Sequence, residues 1–236
     1  MSRNKLAAVT AIILVLLTLS VFPGSAVGQA PTPGGKQGET EIAPEILFQS
    51  KYGALFSFRG KVKDKRAAEE QLDHQIALRT ASVGIAPLGY GYDLNAYYQV
   101  PYGNAYVNAR FNSHLDMDLP AGFATRVTVT YGSSRTAWLG SSPQYNSTEV
   151  KLEDRWTWHA ITGVSISASG GGIAVSGNSA YWSGGDRDTW YLNHVYGGIT
   201  GSSITLYKFS ETATGSHFFQ STHTWVSASA YNYMWV

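Results

Sequence analysis

The 236-residue chain contains no cysteine, and only 14% of its residues are charged. The absence of cysteine excludes disulfide bonds, thiolate catalysis and cysteine-ligated zinc or iron–sulfur sites. The charged fraction is well below the roughly 25% of an average soluble domain. The formal net charge is +1, and basic residues are not clustered in the strand-rich part of the chain. We therefore expect no nucleic-acid partner.

The start of the chain has the pattern of an export signal. Arg3 and Lys5 precede an apolar run over residues 6–22, and small residues follow up to Ala30. This arrangement predicts a signal peptide over residues 1–30 and secretion of the bacterial type, with a retained membrane anchor as the alternative. A cysteine-free chain that folds outside a bacterial cell must take its stability from packing.

Residues 31–81 differ in composition from the rest of the chain. They begin with a linker rich in Pro and Gly, continue with short strand-like apolar patches, and include a charged helix predicted over residues 63–78. Ala68, Leu72 and Ile76 form a narrow apolar stripe on this helix. Because charged residues are concentrated here, we predict a domain boundary near residue 82. The segment is then either removed as a pro-segment or packed as a helix against the edge of a sheet.

Residues 82–236 alternate apolar and polar residues in short runs separated by Gly, Pro and Asn. In residues 126–131, Arg and Thr alternate with Val and Tyr. The last run places Trp225, Tyr231, Tyr233 and Trp235 on one face and small apolar residues on the other. Alternation with a period of two predicts an all-β domain, either an antiparallel β-sandwich or a flattened barrel, preceded by the one N-terminal helix.

Residues 156–192 carry the strongest local pattern, with small apolar and small polar residues alternating on both sides of Gly170, Gly171 and Gly172. The pattern predicts a β-hairpin with the three glycines as its turn. Hairpins of this composition are also typical of β-pore-forming proteins. Because the small side chains would bury little apolar surface in lipid, we do not expect membrane insertion.

Two acidic groups are the candidates for catalysis or metal binding. On a strand, His114, Asp116 and Asp118 would share one face, where the carboxylates could form an acid/base pair, bind Ca²⁺ or simply contact solvent. Asp186 and Asp188 follow two glycines and would form either a Ca²⁺ site or an ordinary turn. No catalytic serine motif accompanies these groups, so a non-enzymatic role is favoured, and no cofactor other than Ca²⁺ is expected.

The aromatic residues, 13% of the chain, are the most suggestive feature. Flat rings cover the apolar faces of sugars, and neighbouring amide and hydroxyl groups bind sugar hydroxyls. We therefore hypothesise a secreted module that binds an extracellular or cell-surface polymer, carbohydrate in the first instance, through exposed rings. The candidate ligand-binding residues are Tyr90, Tyr92, Tyr97, Tyr98, Trp182, Trp190 and Tyr191.

Three other functions stay open at this stage. The chain could be a secreted glycan-acting hydrolase that uses Asp116 and Asp118, with Asp93 as a further carboxylate. It could be a pore-forming protein that inserts the predicted hairpin into a membrane. It could also be a structural coat or matrix protein without a saturable ligand.

Overall fold

The computed structural model describes residues 42–80, 90–118, 125–170 and 172–236. The signal peptide predicted over residues 1–30 and the linker after it lie outside these residues. The described residues form thirteen strands and one helix: β1 (Glu45–Gln49), β2 (Gly53–Phe58), α1 (Lys65–Thr80), β3 (Tyr90–Tyr102), β4 (Ala105–Asp118), β5 (Thr125–Trp138), β6 (Ser147–Ala160), β7 (Ser165–Ala168), β8 (Ala174–Ser176), β9 (Ser179–Thr189), β10 (Tyr191–Tyr196), β11 (Ile199–Ser203), β12 (Leu206–Phe219) and β13 (Thr224–Trp235).

Strand β5 lies at the centre of the larger, eight-stranded sheet. Strand β4 pairs along one edge of β5, and β3 pairs with the far edge of β4. Strands β10 and β11 lie end to end along the other edge of β5. Strand β10 leads on to β2 and then β1, whereas β11 leads on to β7. All of these pairings are antiparallel.

The smaller sheet has five strands in the order β13-β12-β6-β9-β8. Its inner face packs against the inner face of the larger sheet, and large apolar side chains fill the space between them. The fully buried residues of this core include Phe111, Leu115, Trp138, Trp156, Trp158, Phe209 and Phe219. The antiparallel β-sandwich predicted from the alternation of apolar and polar residues is therefore confirmed.

A β-bulge in β5 reverses the alternation predicted for this strand. Val127 and Val129 face the core as expected, but the register with β4 shifts between His114 and Leu115. The extra residue turns Tyr131 out to solvent, where the simple alternation had placed it on the same face as the two valines. From this point on, the odd-numbered residues of β5 lie on the outer face of the larger sheet.

The prediction of a β-hairpin around the three glycines is wrong. Strand β6 ends at Ala160, and the chain then crosses to the larger sheet, where β7 pairs with β11. It returns to the smaller sheet as β8, which pairs with β9. Alternating small residues can pack on either sheet, so their pattern does not specify a pairing partner. The two arms required for a membrane-inserting hairpin therefore do not pair with each other.

The helix predicted over residues 63–78 is observed as α1, two residues later. It begins after Asp64, whose Oδ1 accepts hydrogen bonds from the backbone amides of Arg66 and Ala67 and so caps the helix. The predicted stripe of Ala68, Leu72 and Ile76 is buried. Its polar neighbours contact β4, β5 and β10, so α1 covers the outer face of the larger sheet rather than its edge.

Residues Thr40–Val236 form one compact unit. The boundary expected near residue 82 is therefore not a boundary of this unit, which also contains β1, β2 and α1. Among the described residues, no helix is long and apolar enough to cross a membrane.

Candidate functional site

The acidic candidates on β4 share one face, as predicted. His114 Nδ1 lies 2.9 Å from Oδ1 of Asp93 on β3, and His114 Nε2 lies 3.7 Å from Oδ1 of Asp116. Asp118 forms an ion pair with Arg126 on β5. The structure thus brings His114 and Asp116 together with Asp93, while the carboxylate of Asp118 is neutralised by an arginine.

The second acidic group was expected in a loop and lies instead within β9. Nη2 of Arg59 is 2.7 Å from each carboxylate oxygen of Asp186, so this carboxylate is paired. Asp188 has a φ of 53°, and its carbonyl oxygen accepts a hydrogen bond of 2.7 Å from Nδ2 of Asn146. In the described parts of the chain, no three His, Asp or Glu side chains are grouped so that they could hold a metal ion.

Three of the candidate aromatic residues were expected to be exposed, and this prediction is wrong. Trp190 and Tyr191 are completely buried, and Trp182 is 7% exposed. The ring of Trp182 stacks on the imidazole of His194, with 3.5 Å between the ring centroids. The hydroxyl of Tyr191 donates a hydrogen bond to Asp73 of α1, 2.8 Å away. These rings belong to the core and to the contact with the helix, so they cannot stack on an external polymer.

Three other candidates are on the surface. Tyr92, Tyr97 and Tyr98 of β3 are about half exposed, and the Tyr97 hydroxyl donates a hydrogen bond to Gln99 Oε1 at 2.7 Å. Tyr97 and Tyr98 are neighbours on one strand, so they point to opposite faces of the sheet. The side chain of Tyr90 lies outside the described residues. The exposed tyrosines of β3 therefore do not form one flat surface.

A different set of rings does form one surface, which we call the aromatic face. It comprises Tyr207, Tyr231, Tyr233 and Trp235, each between 43% and 65% exposed. The ring centroids of Tyr231 and Tyr233 are 6.1 Å apart, those of Tyr233 and Trp235 5.7 Å, and those of Tyr207 and Trp235 6.3 Å. The four rings thus form an unbroken aromatic surface on the outer side of the smaller sheet.

The alternation in β13 explains why these rings are exposed. Ala228 and Ala230 point into the sandwich, so the residues between and beyond them point outwards. Among the described strands, β13 pairs with β12 alone and is therefore an edge strand of its sheet. The sequence placed the aromatic residues of β13 on one face, but the pattern by itself did not show that this face is the one in contact with solvent.

A row of hydroxyl groups continues the surface along β12 and β13. Thr214 and Ser229 are joined by a hydrogen bond of 2.9 Å between their hydroxyls, and Ser216 and Ser227 by one of 2.8 Å. At the far end of the row, the ring of Trp225 packs on a half-buried phenylalanine of β12. Ten residues separate Trp225 from Trp235, which corresponds to roughly 33 Å along the strand.

One lysine lies over the rings at each end of this surface. Lys208 Nζ is 4.3 Å from the centroid of Tyr233 and 5.7 Å from that of Trp235. Lys151 Nζ is 4.6 Å from the centroid of Trp225. Cation–π contacts of this kind hold the rings in one orientation in the free protein. Less side-chain entropy is then lost when a ligand binds. The surface is therefore partly preorganised.

A Ser–His–Asp set is present in the core, but its geometry is not catalytic. Ser134 donates a hydrogen bond of 2.7 Å to Oδ2 of Asp154, and Nδ1 of His194 lies 2.6 Å from the same oxygen. A nucleophilic serine would instead be hydrogen-bonded to the histidine. All three residues are almost completely buried between the sheets, so no substrate reaches them. The set stabilises the contact between the sheets.

Comparisons with models of protein families, with curated proteins and with solved structures found no match to this chain.

Proposed function

We propose that this protein is a secreted, non-enzymatic β-sandwich that binds an extracellular carbohydrate polymer along the outer face of the smaller sheet. The observation that carries the proposal is the aromatic face, a row of exposed rings that a row of hydroxyls continues along β12 and β13. The aromatic face contains none of the candidate ligand-binding residues predicted from the sequence, but it offers the same aromatic and hydroxyl chemistry.

The chemistry of the surface suits pyranose rings. The C–H groups of a sugar pack on the face of an aromatic ring, and we take each such contact to contribute as much as a contact between two aromatic rings, about 1 kcal/mol. The hydroxyls of Thr214, Ser216, Ser227 and Ser229 can donate or accept hydrogen bonds to sugar hydroxyls. A surface of this kind needs no ionic group on the ligand, so neutral polysaccharides are its natural class of partner.

The length of the surface favours a polymer over a small sugar. Aromatic rings occur at both ends of a strand surface of roughly 33 Å, with hydroxyls between them. A single sugar would contact only one end, whereas an extended chain can contact both ends at once. Linked contacts of this kind raise the affinity because the second contact is made within the same complex.

The position of Asp116 and Asp118 favours binding over hydrolysis by this pair. A glycosidase needs two carboxyl groups on either side of the bond that it breaks. Asp116 and Asp118 lie on the outer face of the larger sheet, on the other side of the sandwich from the aromatic face, and Asp118 is paired with Arg126. Secretion remains part of the proposal and is supported by the export-signal pattern of residues 1–30.

The triple substitution Y231A/Y233A/W235A tests the proposal. We expect the mature protein to bind an insoluble polysaccharide such as cellulose, chitin or xylan saturably, and the triple variant to bind about 100-fold more weakly because three stacking contacts are lost. Depletion of protein from solution at increasing polysaccharide concentration measures the affinity. The single variant W235F keeps a ring at its position and should retain most of the affinity.

The matched control is Y92A/Y97A/Y98A, which removes three equally exposed tyrosines from β3. This control should bind like the unmodified protein, and thermal melts should show that both triple variants are folded. Equal loss in both variants would contradict the assignment of the site. Release of reducing ends that D116N abolishes would instead identify a hydrolase, and binding to lipid vesicles alone would identify a membrane-active protein.

A further inference from the structure

A groove of about 570 Å³ lies on the outer face of the larger sheet, on the opposite side of the sandwich from the aromatic face. Strands β4, β5 and β10 form its floor. The C-terminal half of α1 forms one wall, and β1, β2 and the turn between them form the other. A volume of this size is within the range of small-molecule binding sites. The outer groove is separate from the proposed polymer-binding surface.

Two neighbouring arginines lie on the floor of the outer groove, and they differ in whether a carboxylate pairs with them. Arg135 on β5 is paired with two carboxylates of α1: its Nε lies 3.3 Å from Glu69 Oε1, and its Nη1 forms an ion pair with Asp73. Arg110 is the cross-strand neighbour of Arg135 on β4 and is exposed. Among the described residues, nothing forms an ion pair or hydrogen bond with Arg110. Its planar guanidinium is free to bind an anionic group through two parallel hydrogen bonds.

Asn193 on β10 places an unpaired acceptor on the same floor. It lies across from Arg135 and is 3% exposed. Its Nδ2 donates a hydrogen bond of 3.2 Å to the hydroxyl of Tyr191, whereas its Oδ1 has no hydrogen-bond partner within the described structure. A buried acceptor without a partner destabilises the folded protein. A ligand that donates a hydrogen bond to Oδ1 would recover this free energy.

Apolar side chains complete the lining of the outer groove. Phe56 of β2 and Ile76 of α1 are almost fully buried at its sides, and Val195 of β10 extends the apolar part of the floor. The groove therefore combines apolar side chains with the guanidinium of Arg110 and the unpaired acceptor of Asn193, and Lys51 and Arg79 add positive charge to its lining. Small-molecule sites usually have a largely apolar lining and a few polar groups that point at the ligand.

We propose that the outer groove binds a small amphipathic organic anion. Its carboxylate, sulfonate or phosphate is held by Arg110, a hydroxyl or amino hydrogen is donated to Oδ1 of Asn193, and its apolar body packs on Phe56, Ile76 and Val195. The β-bulge in β5 makes this arrangement available, because it turns the residues around Arg135 towards the outer face.

Two fluorescent probes that differ in one group test the proposal on the folded protein. The dye 8-anilino-1-naphthalenesulfonate has an anion, an N–H donor and apolar rings, whereas N-phenyl-1-naphthylamine has the donor and the rings without the anion. We expect one saturable site that binds the sulfonate at least tenfold more tightly than the neutral amine. Fluorescence titration of the two probes measures both affinities.

Variants of the two polar groups give separate signatures. R110Q should weaken binding of the sulfonate at least tenfold and leave the neutral amine unchanged, while N193L should weaken both probes by a similar factor. The matched control R126Q removes an arginine on the same sheet that is already paired with Asp118, and it should bind both probes normally. Equal affinity of the two probes, unchanged sulfonate binding in R110Q, or unsaturable binding would overturn the proposal. If N193L does not fold, R110Q decides the outcome by itself.

Discussion

Replacing Lys65 by methionine is expected to lower the free energy of unfolding by about 3 kcal/mol, because three hydrogen bonds of roughly 1 kcal/mol each are lost from buried acceptors. Lys65 is the first residue of α1 and is buried. Its Nζ donates hydrogen bonds to the carbonyl oxygens of Trp138 at 3.1 Å, Gly140 at 2.6 Å and Tyr145 at 2.6 Å. Methionine has a similar length but no donor, so three acceptors would lose their partner.

The environment of Lys65 has two opposing effects on its ammonium group. The ammonium group lies 4.0 Å from the ring centroid of Tyr145 and 5.2 Å from that of Trp190. Burial lowers the pKa of Lys65 to about 7, whereas the three carbonyl acceptors and the aromatic rings favour the charged form. This residue therefore fixes the start of the helix to the loop that follows β5.

Chemical denaturation measures the effect, and K63M is the matched control. Lys63 is exposed two residues earlier, so the same change of side chain should alter stability by less than about 0.5 kcal/mol. In a unit of this size, the expected loss for K65M corresponds to a decrease in Tm of roughly 10 °C. If K65M were as stable as K63M, the three hydrogen bonds from Lys65 to carbonyl oxygens would contribute nothing to the attachment of α1.

Replacing Glu211 by glutamine is expected to stabilise the protein at alkaline pH and to have little effect at pH 5. Glu211 is completely buried between the sheets. Its Oε1 accepts a hydrogen bond of 2.9 Å from Ser113 and another from the hydroxyl of Tyr196. Burial raises the pKa of Glu211 from 4.5 to about 8, and the two hydrogen bonds only partly oppose this shift.

The sign of the pH dependence follows from the direction of this shift. Between pH 4.5 and pH 8, the folded protein keeps a proton on Glu211 that the unfolded chain has released. The contribution of Glu211 is therefore fully present below pH 4.5 and is lost as the pH rises to about 8. A shift of this size corresponds to a loss on the order of 5 kcal/mol, since one pKa unit is about 1.4 kcal/mol. Glutamine keeps the acceptor but has no proton to lose.

The measurement is the difference in unfolding free energy between E211Q and the unmodified protein from pH 5 to pH 9. Burial lowers the pKa of His217 to about 3, so stability is also lost as the pH falls below 6.5, but this contribution is common to both proteins and cancels in the difference. The exposed residue Glu153 on the adjacent strand provides the control E153Q, for which we expect a difference that does not change with pH. A constant difference for E211Q would show that Glu211 is ionised in the folded protein.

The features that the sequence determined by itself depend on local periodicity. A period of two in residues 224–235 placed Trp225, Tyr231, Tyr233 and Trp235 on one face of a strand, and the same rule brought His114 and Asp116 together. The helical spacing of Ala68, Leu72 and Ile76 identified the buried stripe of α1. Side-chain direction follows from the backbone conformation alone, so such features need no knowledge of the rest of the chain.

Only the tertiary structure decided which faces are buried and which segments pair. Trp190 and Trp235 are chemically identical, yet one is completely buried and the other is 65% exposed. The segments beside the three glycines joined different sheets, and the outer groove was assembled from residues far apart in the chain, including Phe56, Arg110 and Asn193. Each of these outcomes depends on long-range pairing and on a second layer, the helix or the opposite sheet, that covers one face. A local pattern shows that a strand has two different faces, but it does not specify which of them another element will cover.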